Sequence, residues 1–250
     1  MTAALATQGV TKRFGALEAL SDVTLALPRG ARHALIGPNG AGKTTLINIL
    51  AGALAPTAGE VFLEGERITR LTQHARVDRG LARTFQINQL FPGLSVIESV
   101  LLAIFQREGI GTRALRRVAA HTAEIAEARE LLATLRLEEQ ADQRTASLAY
   151  GKRRLLEIAL AMATRPRILL LDEPAAGIPS AESVEVLAVL AALPREVTVL
   201  FIEHDMGIVF RFAERITVLV GGRVLMEGGV EEVAHDERVR AVYLGRSRDG

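Results

Sequence analysis

Residues Gly37-Pro38-Asn39-Gly40-Ala41-Gly42-Lys43-Thr44 fit the phosphate-cradling pattern G-x-x-x-x-G-K-[ST]. A hydrophobic run, Arg32-His33-Ala34-Leu35-Ile36, precedes them, and a helix-like run, Thr45-Leu46-Ile47-Asn48-Ile49-Leu50, follows. Strand, Gly-rich loop and helix in that order are the context the pattern requires. Glycines let the backbone fold tightly, so that successive N–H groups point inward at phosphate oxygens. The following helix adds the positive end of its dipole. In this reading the nucleotide-contacting stretch runs from Gly37 to Thr45, Lys43 reaches the β- and γ-phosphates, and the Thr44 hydroxyl ligates Mg²⁺. The competing reading is a chance Gly-rich turn, and the flanking strand and helix argue against it.

Working outward, the chain has 250 residues, enough for a sizeable core. One α/β domain with an inserted lobe and two small domains both fit that length. Acids and bases are interspersed and the net charge is +1, which gives no argument for a nucleic-acid-binding surface. Cysteine is absent, which excludes a disulfide framework, thiol chemistry and a Cys-containing zinc site. No apolar run reaches the length of a membrane span. No basic segment followed by an apolar one opens the sequence, so no signal peptide is expected. The expectation is a soluble chain whose membrane association comes through a partner.

The first third reads as strands and turns: Leu5 to Val10, Val23 to Leu27 and Val61 to Leu63 are short β-like runs. From about Leu94 to Ala163 the pattern is helical. Ser95-Val96-Ile97-Glu98 is a capping-box start, and Arg113 to Leu137 has the Ala, Arg, Glu and Leu content of a long helix with an exposed face. The last third alternates again: a strand at Ile168 to Leu171, a helix at Ser180 to Leu193 and a strand at Val197 to Ile202. Ile216 to Val220 and Arg223 to Met226 form a hairpin across Gly221-Gly222. Continuously apolar strands alternating with helices predict an α/β fold with a buried, mostly parallel sheet and the helical middle inserted between its halves.

A second motif is Arg167-Ile168-Leu169-Leu170-Leu171-Asp172-Glu173. It places carboxylates at the C-terminal end of a buried strand, where ligands bind in open α/β sheets. Asp172 is suited to Mg²⁺, directly or through water. Glu173 is placed to polarise an attacking water as general base. Standing alone, such a run is more often a plain buried strand with a polar end; the upstream phosphate loop favours the functional reading.

Together these motifs resemble the ATP-binding subunit of ABC transporters over almost the whole chain. The resemblance implies a P-loop ATPase core with a mostly parallel sheet, an N-terminal antiparallel β subdomain and an inserted α-helical subdomain. Residues 1–250 would be a single cassette: about 1–93 and 165–250 as the ATP-binding core, and about 94–164 as the helical subdomain. Phe14, in Lys12-Arg13-Phe14-Gly15, stands where the family places an aromatic ring against adenine; a lone Phe by itself is more often core. Gln86, in Arg83-Thr84-Phe85-Gln86, matches the glutamine implied to touch Mg²⁺ and the attacking water, and to report nucleotide state to the membrane partner. His204, in Phe201-Ile202-Glu203-His204-Asp205, matches the histidine implied to contact the γ-phosphate; on its own it reads as a strand-end histidine. The implied cofactors are ATP and Mg²⁺, with Thr44, Gln86 and Asp172 as metal ligands and Glu173 and His204 as the catalytic pair.

Ser147-Leu148-Ala149-Tyr150-Gly151-Lys152 matches the family's signature motif but departs from Leu-Ser-Gly-Gly-Gln. Ala149 replaces the serine, Tyr150 the first glycine and Lys152 the glutamine, while Gly151 is kept. In the family this turn closes over the γ-phosphate held by a second subunit. The N–H groups of Ala149, Tyr150 and Gly151 at a helix start would do that without the hydroxyl. Pro174-Ala175-Ala176-Gly177-Ile178-Pro179 occupies the D-loop, with Pro179 at the usual aspartate's place, which removes a carboxylate and a backbone donor.

Tyr150, Pro179 and the ending Arg238 to Gly245 resemble the branch serving bacterial importers of branched-chain amino acids and related amides. The implied partners are integral-membrane permeases, a second ATP-binding subunit (this chain or a paralogue) and, indirectly, a substrate-binding protein. The implied location is peripheral, on the cytoplasmic face of the bacterial inner membrane. The alternatives are an ATPase of a lipid-extraction or export system, a non-transport ATPase of the same fold, and an inactive regulatory cassette. One cassette, no long heptad run and near-neutral charge disfavour the second; the presence of Glu173 and His204 argues against the third, while the signature and D-loop departures favour it.

Overall fold

The computed structural model describes residues 3–84, 90–110 and 121–244. The first third holds β1 (Leu5–Phe14), β2 (Leu17–Leu27), β3 (Arg32–Ile36), α1 (Lys43–Ala51), β4 (Ala58–Leu63), β5 (Glu66–Arg67), α2 (Gln73–Val77) and β6 (Leu81–Arg83). Then come α3 (Val96–Arg107), α4 (Thr122–Thr134) and α5 (Tyr150–Ala163). The last third holds β7 (Ile168–Asp172), α6 (Ser180–Ala192), β8 (Thr198–Ile202), α7 (Met206–Phe212), β9 (Arg215–Val220), β10 (Arg223–Gly229), α8 (Val230–His235) and α9 (Glu237–Leu244).

The chain divides into two compact units. One comprises Met1–Arg76, Ile168–Glu173 and Pro194–Gly250, and the other Val77–Arg167 and Pro174–Leu193. The second unit is therefore wider than the segment 94–164 read as helical from the sequence.

In the first unit, an antiparallel sheet runs in the order β2-β1-β4-β5. Leu5 and Thr7 of β1 point inward two residues apart; Gly9, at φ +60°, then lets the strand bulge, and Val10 takes the next inward place. The larger sheet of this unit runs β10-β9-β3-β8-β7, parallel except for β10. Every residue of β3 and β8 is buried, which explains why Ala34 to Ile36 and Val199 to Ile202 are apolar runs rather than alternations.

Register decides what these strands present. Leu35 of β3 and Asp172 of β7 both pair with Ile202 of β8, so the three strands end level. One residue or two further along lie Gly37, Glu173 and the Glu203-His204 pair, all at the C-terminal edge of the sheet.

Helix α1 seats Leu46, Ile47, Ile49 and Leu50 fully in the core. Its C-terminus is closed by Gly52 in the left-handed region and by a side chain far along the sequence. The Arg76 guanidinium, 1% exposed, donates to the carbonyls of Ile49 and Leu50 (both 2.7 Å), Thr69 (3.1 Å) and Leu71 (3.2 Å). Burial lowers its pKa to about 10. The bonds to Ile49 and Leu50 reach carbonyls of the kind a helix end leaves without intrahelical partners.

The second unit is mainly helical. Ser95 caps α3 reciprocally, as its sequence predicts: its Oγ accepts from the N–H of Glu98 (3.3 Å), and Glu98 Oε2 accepts from the N–H of Ser95 (2.7 Å). Val100 and Ile104 of α3, Leu132 of α4, and Leu155 and Ile158 of α5 are fully buried together. Arg107 grips both oxygens of Glu127 at 2.7 and 2.8 Å, pinning α3 to α4. The helix expected over Arg113 to Leu137 is observed at Thr122–Thr134; residues 111–120 lie outside the described residues. It ends where Arg136 turns to φ +58°.

Candidate nucleotide site

The loop between β3 and α1 turns on two glycines whose places leave no room for a side chain. A Cβ on Gly37 (φ +152°) would lie 2.1 Å from the carbonyl oxygen of Leu219, and one on Gly42 (φ +99°) 2.6 Å from that of Ala19. The turn after β9 braces the loop from behind: the N–H of Gly222 donates to Ala41 O at 3.0 Å. Gly42 starts α1 with no side chain capping it, so the first-turn amides face the loop. Lys43 is 6% exposed, and its ammonium donates to Gly37 O (2.7 Å) and Pro38 O (3.0 Å). Burial lowers its pKa, against the negative charges of Glu173 and Asp172. Asn39, Gly40 and Thr44 are exposed, Pro38 and Thr45 half-buried, and Ala41 buried.

Glu173 follows β7 with φ +49°, a left-handed backbone that a glutamate rarely adopts, and its N–H donates to Ile202 O at 3.1 Å. That kink aims its carboxylate at His204: Glu173 Oε1 and His204 Nε2 are 2.5 Å apart. His204 is itself fixed from the next residue, since Asp205 caps α7 by accepting from the N–H groups of Gly207 and Ile208. The two catalytic candidates, 31 positions apart in sequence, are thus bonded to each other.

Asp172 and the Thr44 hydroxyl are hard oxygen donors of the kind Mg²⁺ takes. Among the described residues, no cluster of three or more His, Cys, Asp or Glu forms an all-protein metal cage. This donor set fits a cation that typically takes one or two carboxylates and completes its shell with phosphate oxygens and water. Gln86, the third metal candidate, lies outside the described residues.

Phe14 closes the β1–β2 hairpin opposite Leu17 and is 49% exposed. It belongs to the same unit as the phosphate loop, and β2 touches that loop where Ala19 and Leu20 approach Gly42. Tyr243 on α9 was singled out by sequence only as a mark of one branch. Burial pushes the pKa of its phenol up, and the nearby backbone of the loop's first glycine, Gly37, offsets part of that rise.

The signature turn belongs to the second unit. Ala149 is the cap residue of α5 and offers no side-chain bond; Tyr150 follows, 40% exposed. The N–H of Gly151 donates to Glu182 Oε2 at 2.8 Å, and Lys152 Nζ to Glu185 Oε1 at 2.9 Å. Lys152 is therefore tied to α6 and, through Arg136 O at 2.9 Å, to the end of α4. Pro179 caps that helix, and Gly177, at φ +72°, leaves room for the Tyr150 ring: a Cβ there would sit 3.3 Å from its hydroxyl. Sequence reasoning missed Glu182 and Glu185. Their one signal was a pair of acids three residues apart at the start of the helix after the D-loop.

Comparison with known proteins gives four findings. The sequence profile of the ABC transporter family matches residues 20–176. The chain is 40% identical to the high-affinity branched-chain amino acid transport ATP-binding protein BraF of Pseudomonas aeruginosa, over 97% of this chain and 98% of that one. Among solved structures it resembles the ADP conformation of an ATP-binding cassette of an ABC transporter (TM-score 0.84, 29% identity, covering 98% of this chain and 100% of that one). It also resembles a dimeric bacterial ABC transporter cassette (TM-score 0.75, 29% identity, covering 90% and 98%).

Proposed function

The chain belongs to the ABC transporter family, and from that premise we propose that its ATPase activity powers import of branched-chain amino acids or related small polar molecules through a separate permease. The observation that carries the catalytic reading is the Glu173–His204 pair, which stands at the same sheet edge as the Lys43 loop. Similarity to BraF carries the transport reading.

The residues divide the work as follows. The amides of Gly37 to Thr45 and the Lys43 ammonium hold the triphosphate, and Phe14 supports the adenine. Thr44, Asp172 and Gln86 would hold Mg²⁺, which when bound neutralises developing phosphate charge. Glu173 accepts the proton of the attacking water, while His204 holds Glu173 in place and faces the γ-phosphate. Catalysis is then mostly positioning and charge stabilisation.

Two copies, or this chain and a paralogue, close head to tail, so that one chain's Ala149–Gly151 turn covers the ATP of the other; a solved relative is dimeric. The N–H of Gly151 is already held by an acid, Glu182, so a γ-phosphate taking that place exchanges one anion for another. ATP favours the closed pair, and hydrolysis returns the equilibrium to the open one. Among the described residues no helix is long and apolar enough to cross a membrane, which accords with peripheral attachment through a permease on the cytoplasmic face. A substrate-binding protein would act on the permease's far side.

Restoring the signature hydroxyl tests the departure at Ala149. A hydrogen bond to a charged oxygen contributes about 1.5–3 kcal/mol when nothing replaces it. Because backbone donors occupy this turn, Ala149→Ser is expected to leave the steady-state ATPase rate within about threefold. A tenfold gain would show that the native turn is weakened.

The transport reading is tested by purifying the chain from gently solubilised native membranes and identifying its companions by mass spectrometry. Permease subunits and a second cassette are expected. A chain found only among soluble ribosomal or DNA-associated proteins would leave the ATPase and remove the importer.

A further inference from the structure

Lys12, on β1, makes two contacts at once. Its ammonium donates to the carbonyl of Ala55 at 2.8 Å, and it lies 5.1 Å from the centroid of the Phe14 ring. The Ala55 anchor is itself tied down. Just before it, the N–H groups of Ala53 and Leu54 both donate to Asn48 O of α1 (2.9 and 3.1 Å). Just after it, Thr57 donates to Thr11 O at 2.8 Å and accepts from the N–H of Arg13 at 3.0 Å. The half-buried ammonium is thereby held over one face of a ring that is otherwise half exposed.

We propose that Lys12 is a positioning residue for the nucleotide base: it covers one face of Phe14 and leaves the other as the stacking surface for adenine. This rests on reading Phe14 as the adenine platform. A cation over an aromatic face is attracted by the ring quadrupole and draws electron density toward itself. The opposite face becomes less electron-rich and accepts the electron-rich purine more readily. The ammonium also restricts the ring to one orientation, so less freedom is lost when the base arrives. The triphosphate chain, held by the loop at Lys43, should not sense Lys12 at all.

The experiment compares the affinity of the full chain for ATP and for inorganic tripolyphosphate, by calorimetry, in Lys12→Met, Lys12→Arg, Phe14→Leu and the Lys12→Met/Phe14→Leu double variant. Lys12→Met should weaken ATP about two- to fivefold, leave tripolyphosphate unchanged, and have no further effect once Phe14 is leucine. Lys12→Arg should restore ATP affinity, because a guanidinium keeps both contacts. If Phe14→Leu weakens ATP selectively but Lys12→Met does not, the role of Lys12 is overturned and the platform stands. Equal weakening of both ligands by Lys12→Met would make it a structural brace and likewise overturn the proposal. If Phe14→Leu leaves ATP binding unchanged, the platform itself falls, and Lys12 with it.

Discussion

Glu173→Gln is expected to bind ATP as the parent does and to hydrolyse it at least about a hundredfold more slowly, the range lost with a general base. Glutamine keeps the length and shape of the side chain and inherits the same left-handed backbone, so strain at the site does not change. Its amide oxygen can still accept from His204, which preserves the pairing seen with Oε1. Only the capacity to take a proton is gone. Phosphate release measured beside ATP affinity reads the effect, and near-normal turnover would remove Glu173 from the catalytic role.

Lys43→Ala is expected to abolish tight ATP binding. The ammonium is the cation buried within the loop, and it also ties the carbonyls of Gly37 and Pro38 together. Two charge-assisted bonds to phosphate oxygens contribute together about 3 kcal/mol or more, which corresponds to at least about a hundredfold in affinity. Thermal melting separates this loss from unfolding, and Lys43→Met, which fills the same space, should fail to bind just as completely. Unchanged ATP affinity in a folded variant would undo the phosphate-loop reading.

What was legible beforehand was whatever short-range chemistry encodes. The phosphate loop announces itself through glycines flanked by an apolar strand and a helix. The Ser95–Glu98 capping box closes within four residues, and Gly221-Gly222 marks a hairpin because both adopt positive φ. The strand at Ile168 was legible because its apolar run stops at two acids, Asp172 and Glu173. The remainder depends on contacts distant in sequence. Arg76 reads as an ordinary polar helix residue until α1 is seen to end against it, 26 and 27 positions away from its acceptors. Glu182 reads as a first-turn acid, yet its oxygen meets the N–H of Gly151, 31 positions earlier. The end of α4 was hidden for another reason. Arg136 stops it with a left-handed turn and no glycine or proline to signal the stop, and its carbonyl accepts from Lys152.

The backbone at Glu173 carries a consequence for how such a chain can change. A left-handed conformation at a residue with a Cβ costs about 1–2 kcal/mol, and only glycine, or asparagine and aspartate in part, escapes it. Selection for robust folding alone would therefore move position 173 toward glycine or asparagine and, with Glu173 as the general base we propose, yield a sturdier protein that no longer turns over ATP. Retaining a glutamate there requires selection that rewards turnover. At this one residue, endurance and work pull the sequence in opposite directions.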